Sequence, residues 1–237
     1  MLIIMGRERS FLRMICLIIG CLLLSLNFTI SANASLQDNE DGTVTQIRND
    51  GSMLMWLKDA NYSKTSGYDA DGRMTWDQAQ TWIGYLNSSI YLGYDDWRLP
   101  YTLPVDGSSY VIVGNNYDGS IDYGYNISSP NSELGYMFYA ELDNKGRYDT
   151  SGQTQTGYGL SYKGPFTNLL STYYLSDSTY NDTSVWVFNN NNGVQVLDSS
   201  VNARNAWAVR DAGIIPEPVS SILFVSGGAF FYFRRRR

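Results

Sequence analysis

The 237-residue sequence has no histidine, and its two cysteines, Cys16 and Cys21, both stand near the start. Without imidazole, Ser-His-Asp and Cys-His nucleophiles are excluded, as are histidine-based zinc sites. Beyond Cys21 no thiol remains for catalysis, zinc or a disulfide, so any folded domain there must rely on a packed core. Positive charge is also scarce. The chain holds 17 Lys and Arg against 23 Asp and Glu, with a pI near 4.6. Seven of the 17 basic residues (Arg7, Arg9, Arg13 and Arg234 to Arg237) and two of the 23 acidic ones (Glu8, Glu217) fall outside residues 35–215, which leaves 10 basic against 21 acidic, a net charge of −11. No three cations cluster in that stretch, so no nucleic-acid partner is expected. No internal repeat is present.

Long apolar runs occur only at the two ends. Arg7, Arg9 and Arg13 precede the run Met14 to Leu26, and Ala32-Asn33-Ala34 supplies a small-x-small cleavage site. Residues 1–34 therefore read as a signal peptide, with the mature chain starting near Ser35. A transmembrane helix is the rival, although the run is short for a bilayer of ~30 Å. Ile18-Ile19-Gly20-Cys21 offers a lipoprotein-like alternative, but the apolar run continues past it. At the other end, Pro216-Glu217-Pro218 precedes the apolar span Val219 to Phe233, and Arg234, Arg235, Arg236 and Arg237 follow. Such a span reaches only about 22 Å as a helix, and the arginines would hold it on the cytoplasmic side. This tail, residues 214–237, resembles the PEP-CTERM sorting signal. That resemblance implies a transient inner-membrane anchor in a Gram-negative bacterium, processed by an exosortase after a signal peptidase has acted. The exported product would then reach the cell surface or the extracellular matrix. A permanent C-terminal anchor is the alternative.

Between these ends, Ser35 to Asp41 reads as a polar, frayed start. Thr43 to Ile47 and Met53 to Leu57 read as strands about an Asn49-Asp50-Gly51 turn. Asp59 to Arg73 reads as a loop. Thr75 and Gln78 form a capping-box pattern, followed by the helical stripe Trp76, Ala79, Trp82, Ile83 and Leu86. These residues, with Trp97, are expected to be buried. Tyr101 to Ser129 reads as a long surface insertion. Ser129-Pro130 looks like the start of a second helix, with Leu134, Met137, Phe138 and Leu142 as its stripe. Thr150 to Gly164 is loop-like. Val185 to Phe188 and Val194 to Leu197 read as strands joined by an asparagine-rich turn. Ala206 to Arg210 closes the fold, and Ala212 to Ile215 reads as a linker.

Several of these segments carry a resemblance. Thr75-Trp76-x-x-Ala79 and Asp96-Trp97-Arg98-Leu99-Pro100, with Gly42-Thr43-Val44-Thr45, Leu54-Met55-Trp56-Leu57, Gly164-Pro165-Phe166-Thr167-Asn168, Val185-Trp186-Val187-Phe188 and Ala206-Trp207-Ala208-Val209-Arg210, appear in order. They resemble the family named after the C-terminal domain of the Legionella collagen-like protein. Tyr174-Leu175-Ser176 departs from the Tyr-Trp-Ser frequent there. The resemblance implies an α+β, C-type-lectin-like single domain over residues 35–213, with two helices, short antiparallel sheets and long loops. It implies little about activity.

The remaining chemistry is that of carboxylates, hydroxyls, amides and aromatics. Glycoside hydrolysis needs two facing carboxylates; Asp95 and Asp96 are neighbours and would point to opposite faces of a strand. Glu133 and Asp177 are a distant pair that spacing alone cannot judge. Asp69-Ala70-Asp71-Gly72 is similar to the middle of a calcium loop, but Gly67 and Gln78 occupy its end ligand positions. No enzyme activity, cofactor or metal is expected; a carboxylate-based glycan-active enzyme and a calcium site assembled from separated loops are the alternatives. The candidate ligand-binding residues are Tyr110, Tyr117, Tyr123, Tyr125, Tyr158 and Tyr162, set among Gly, Asn and Ser. Such mixtures suit sugar rings or adaptable contacts, and they equally suit pinning loops to a core. Arg98 and Arg210 are expected in buried ion pairs. Neutral or weakly charged extracellular polysaccharide is the expected partner. The named family member's association with sulfated glycosaminoglycans does not suit a domain of charge −11.

Overall fold

The computed structural model describes residues 35–214. The expected signal peptide, the Pro216-Glu217-Pro218 motif, the apolar span and the four arginines lie outside the described residues. No helix among the described residues is long and apolar enough to cross a membrane.

The domain is α+β, with two sheets and few helices. β1 (Ser35–Asp38), β2 (Thr43–Ile47) and β3 (Ser52–Leu57) form an antiparallel meander, and the last strand, β9 (Val209–Ile214), pairs with β3, giving the order β1-β2-β3-β9. The start expected to fray is therefore a strand: its backbone is satisfied by β2, with Ser35 opposite Ile47 and Asp38 opposite Val44. The expected linker is also largely strand, since β9 carries the pairing on to Ile214, opposite Ser52. Ala206 to Ala208, expected in that strand, instead lead into it as a buried segment.

The loop expected over 59–73 holds a single helical turn, α1 (Tyr62–Thr65), and ends in β4 (Arg73–Met74). α2 (Trp76–Ser88) has the complete capping box: Thr75 Oγ1 accepts from Gln78 N, and Gln78 Oε1 accepts from Thr75 N at 2.9 Å. Its stripe buries Ala79, Trp82, Ile83 and Leu86, while Trp76 is only half-buried. The difference follows from position. Trp76 opens the helix, and its indole N–H is drawn to Ser176 O at 3.0 Å rather than into the core.

The second helix starts later than Ser129-Pro130 implies. Ser132 is the cap, accepting from Gly135 N, and α3 (Glu133–Tyr136) widens into a π-helical turn over Met137–Glu141. The expected stripe is nevertheless correct: Leu134, Met137, Phe138 and Leu142 are all buried. Ser132 replaces Ser129 because its hydroxyl is fixed from the far side, donating to Gln195 Oε1 on a strand 63 residues away.

The second sheet has the order β4-β8-β5-β6-β7, built from β5 (Tyr173–Asn181), β6 (Ser184–Asn189), β7 (Val194–Ser199) and the two-residue β8 (Arg204–Asn205). β6 and β7 match the sequence reading. β5 was not anticipated, because its outer half is polar and its pairing with β6 slips after Leu175 and again after Thr179. β6 is buried on both faces, which explains its continuous apolar run.

The segment Trp97 to Pro100 joins the sheets. Arg98 exchanges backbone hydrogen bonds with Val209 (2.8 and 2.9 Å), which extends the first sheet beyond β9. Pro100 O accepts from Asp177 N and from Ser176 Oγ, both at 2.8 Å, which ties the same segment to β5. Asn87 at the end of α2 clamps Trp97 through both its backbone groups. Trp56, Trp82, Trp97 and Trp207 are at most 2% exposed, and Trp56 and Trp207 meet with ring centroids 4.6 Å apart.

Candidate functional site

Residues 101–164 are mostly irregular, apart from the helical turns over 133–141. Short local hydrogen bonds shape this region: Asp106, Asp118 and Asp149 each accept backbone N–H groups two residues on, the Asx-turn geometry that gives a loop its form without a ladder. Gly124 is needed where the loop reaches the second sheet. It exchanges backbone bonds with Gln195 at φ +128°, where a side chain would strike the Asn116 backbone.

The six candidate tyrosines do not converge on one groove. Tyr117 and Tyr125 lie near one another, and Tyr148 joins them from the following loop, with centroid separations of 5.3 Å to Tyr117 and 5.0 Å to Tyr125. Asn126 fixes the group by donating to Tyr117 O and Tyr148 O. Gly152 packs against the Tyr117 ring, and the Arg147 guanidinium stands 5.5 Å from the Tyr148 centroid. The three rings are half-buried, and burial pushes the Tyr125 phenol pKa up. Tyr110 lies elsewhere, against Trp186 at 5.2 Å, and its hydroxyl donates to Thr102 O. Tyr123, Tyr158 and Tyr162 make no ring contact among the described residues, and Tyr158 and Tyr162 are 42% and 61% exposed. Tyr148 was missed because it stands beside charged residues rather than in a Gly- and Asn-rich run.

A separate cleft of about 310 Å³ opens between the first turn of α2 and the β5–β6 hairpin, walled by Trp76, Asp77, Thr179, Asn181 and Asp182. Val185 and Ser200 complete it. No sequence signal marked this cleft, because its walls are about 100 residues apart in the chain.

Of the carboxylates weighed for catalysis, Asp96, Glu133 and Asp177 are each engaged by a neighbouring side chain, and Asp95 is exposed. Glu133 receives both Arg98 terminal nitrogens at 2.7 and 2.9 Å, Tyr101 N at 2.8 Å and Arg48 at 3.4 Å. Burial opposes the Arg98 charge, and Glu133 and Asp211 outweigh that cost, so the guanidinium is held more firmly charged than usual. Asp177 accepts from Gln80. Arg210 pairs with Asp96 at 2.6 Å, but the Asp96 side chain is half-exposed, so of the two arginine pairs expected to be buried only Arg98–Glu133 is. Glu141, above the core, has its pKa raised by burial, although Gln46 donates to it. Asp69 turns the chain by accepting from Asp71 N and Gly72 N, so an Asp-Gly turn forms there. Among the described residues no group of three or more Asp, Glu, Cys or His gathers as a metal site would require. No family model and no curated protein matches this chain.

Proposed function

We propose that the chain is an exported, non-enzymatic envelope or matrix protein that binds neutral or weakly charged extracellular polysaccharide, on a C-type-lectin-like domain released from a PEP-CTERM anchor. The observation that carries this reading is the meeting of Tyr117, Tyr125 and Tyr148 from two separate loops, with amide and hydroxyl groups around them. Half-exposed aromatic faces stack on the C–H faces of sugar rings, and amides serve the hydroxyls. The charge distribution supports the same ligand class. Arg48, Lys58, Arg98, Arg204 and Arg210 are engaged by carboxylates, so half of the domain's ten cations are already paired. The lectin-like assignment is supported by the first three strands and the last sharing one sheet, with long loops between. A matrix protein without a specific ligand is the second reading; it is favoured by Gly152 and Asn126 locking the same tyrosines in place.

The test is titration of the exported protein against neutral glucans and heparin at low and high ionic strength. The processing reading sets its intact mass at a start near Ser35 and an end near Pro216. Binding to glucan should be little changed by salt and weakened by Tyr148→Ala. Tight heparin binding that collapses in salt would overturn the proposal.

A further inference from the structure

The cleft beside α2 differs in character from the tyrosine patch. Its aromatic wall is Trp76, held by the hydrogen bond from its indole N–H to Ser176 O and by its backbone N–H donating to Ser200 O at 3.0 Å. The opposite wall exists because β5 loses its regular register with β6: pairing resumes only at Thr179 opposite Val185 and Asn181 opposite Ser184. Such irregularities commonly re-aim side chains at functional edges. Thr179, Asn181 and Asp182 are exposed there, and Val185 is buried. The Asn181 side-chain oxygen already accepts from Thr183, which leaves its N–H groups for a ligand.

The charges in this cleft are one-sided. Asp77 and Asp182 form no ion pair among the described residues, and no lysine or arginine lines the space. Asp77 also suits the first turn of a helix, but Asp182, in a hairpin turn, has no such role. An indole beside two carboxylates that form no ion pair favours a cation, which can meet the ring and pair with the carboxylates together. The volume is at the small end of ligand pockets, ~300–1,000 Å³.

We infer that this cleft takes a protonated amino-sugar residue of a polysaccharide, with its ammonium group between Asp77 and Asp182, its ring on Trp76 and its hydroxyls served by Thr179 and Asn181. The inference rests on the polysaccharide reading and adds a preference for glycans with free amines. The domain's charge of −11 favours the approach of such a chain.

Glucosamine oligomers, the same oligomers N-acetylated, a neutral glucan and a lysine-rich peptide of equal charge are titrated against the exported protein at low and high salt. The free-amine oligomer should bind about tenfold or more tighter than its acetylated form, the gain expected of one charge-assisted contact, and the gap should narrow in salt. Asp182→Asn should remove the gap and Asn181→Ala should weaken both oligomers, while Tyr148→Ala leaves the gap intact. Both cleft substitutions lie on an exposed turn, and matching thermal unfolding verifies that they fold. A gap that is absent, that survives Asp182→Asn, or that the peptide reproduces would overturn the inference. If the neutral glucan still binds in that case, only the cleft assignment falls. If no glycan binds at all, the polysaccharide reading falls with it.

Discussion

The tryptophan core and the 101–164 loop region are stabilised in different ways. In the core, Trp56, Trp82, Trp97 and Trp207 are sealed by apolar neighbours, and three of their indole N–H groups find oxygen partners. That region gains from apolar area removed from water, roughly 25 cal/mol per Å². The loop region buries fewer large side chains. It is shaped by aspartates turning their own backbone, by glycines at positive φ and by ring contacts between half-exposed tyrosines. A region shaped by local bonds can present polar and aromatic groups to solvent, which a region driven by burial cannot. The two meet at Glu133, whose carboxylate at the start of α3 clasps Arg98 from the core segment.

If this contrast is right, emptying the core should produce the largest effect. Trp82→Ala should cost ~3–5 kcal/mol, read as a fall in the midpoint of chemical denaturation; an unchanged midpoint would mean the core does not depend on α2. Next comes the junction. Glu133→Gln leaves Arg98 and Arg48 without their shared counter-charge and should cost about 3 kcal/mol, the lower end for breaking a buried pair, because Asp211 still meets Arg98. Its unfolding should split into two transitions if the clasp is what couples the two regions, and should remain a single transition if other contacts couple them.

Within the loops the effect should be smaller and local. Asn126→Ala removes the amide that bridges Tyr117 O and Tyr148 O, and places alanine at φ +60°. About 1–3 kcal/mol of local stability should be lost. Amide exchange should rise over residues 115–126 and 147–155 with protection of α2 unchanged. Exchange rising equally in α2 would show that the loops belong to the core's cooperative unit.

The smallest effect concerns acid. Arg210 holds Asp96 below the ordinary carboxylate value of 3.8, and Lys58 does the same for Asp38. Their contributions are present above that value and lost as the pH falls through the lowered folded values. The raised Glu141 acts in the opposite sense, favouring the fold at low pH and ceasing to do so as it ionises. Asp96→Asn should therefore flatten the acid limb of the stability profile, by at most about 1 kcal/mol for so exposed a pair. An identical acid limb would show that the pair contributes nothing.

The sequence by itself determined the elements whose reason for existing is local. The capping box from Thr75 to Gln78, the 3.6-residue stripe of α2, the Asn-Asp-Gly turn and the apolar run of β6 each follow from neighbours a few residues apart, and each is where it was expected. The missing histidines and late cysteines likewise settled which nucleophiles and metal ligands are excluded. Tertiary structure alone decided what depended on distant partners. β1 is a strand because β2 lies beside it, although three of its four residues, Ser35, Gln37 and Asp38, are polar. Ser132 caps α3 because Gln195 reaches it across the fold. Of the six candidate tyrosines, Tyr117 and Tyr125 are assembled with Tyr148, and Tyr110 is taken up by Trp186, because ring contacts form between loops whose spacing in the chain carries no record of them. The cleft at Trp76 is likewise invisible in sequence: its walls are joined only by a helix terminus docking on a hairpin about 100 residues away, and burial and hydrogen bonding, not local propensity, bring them together.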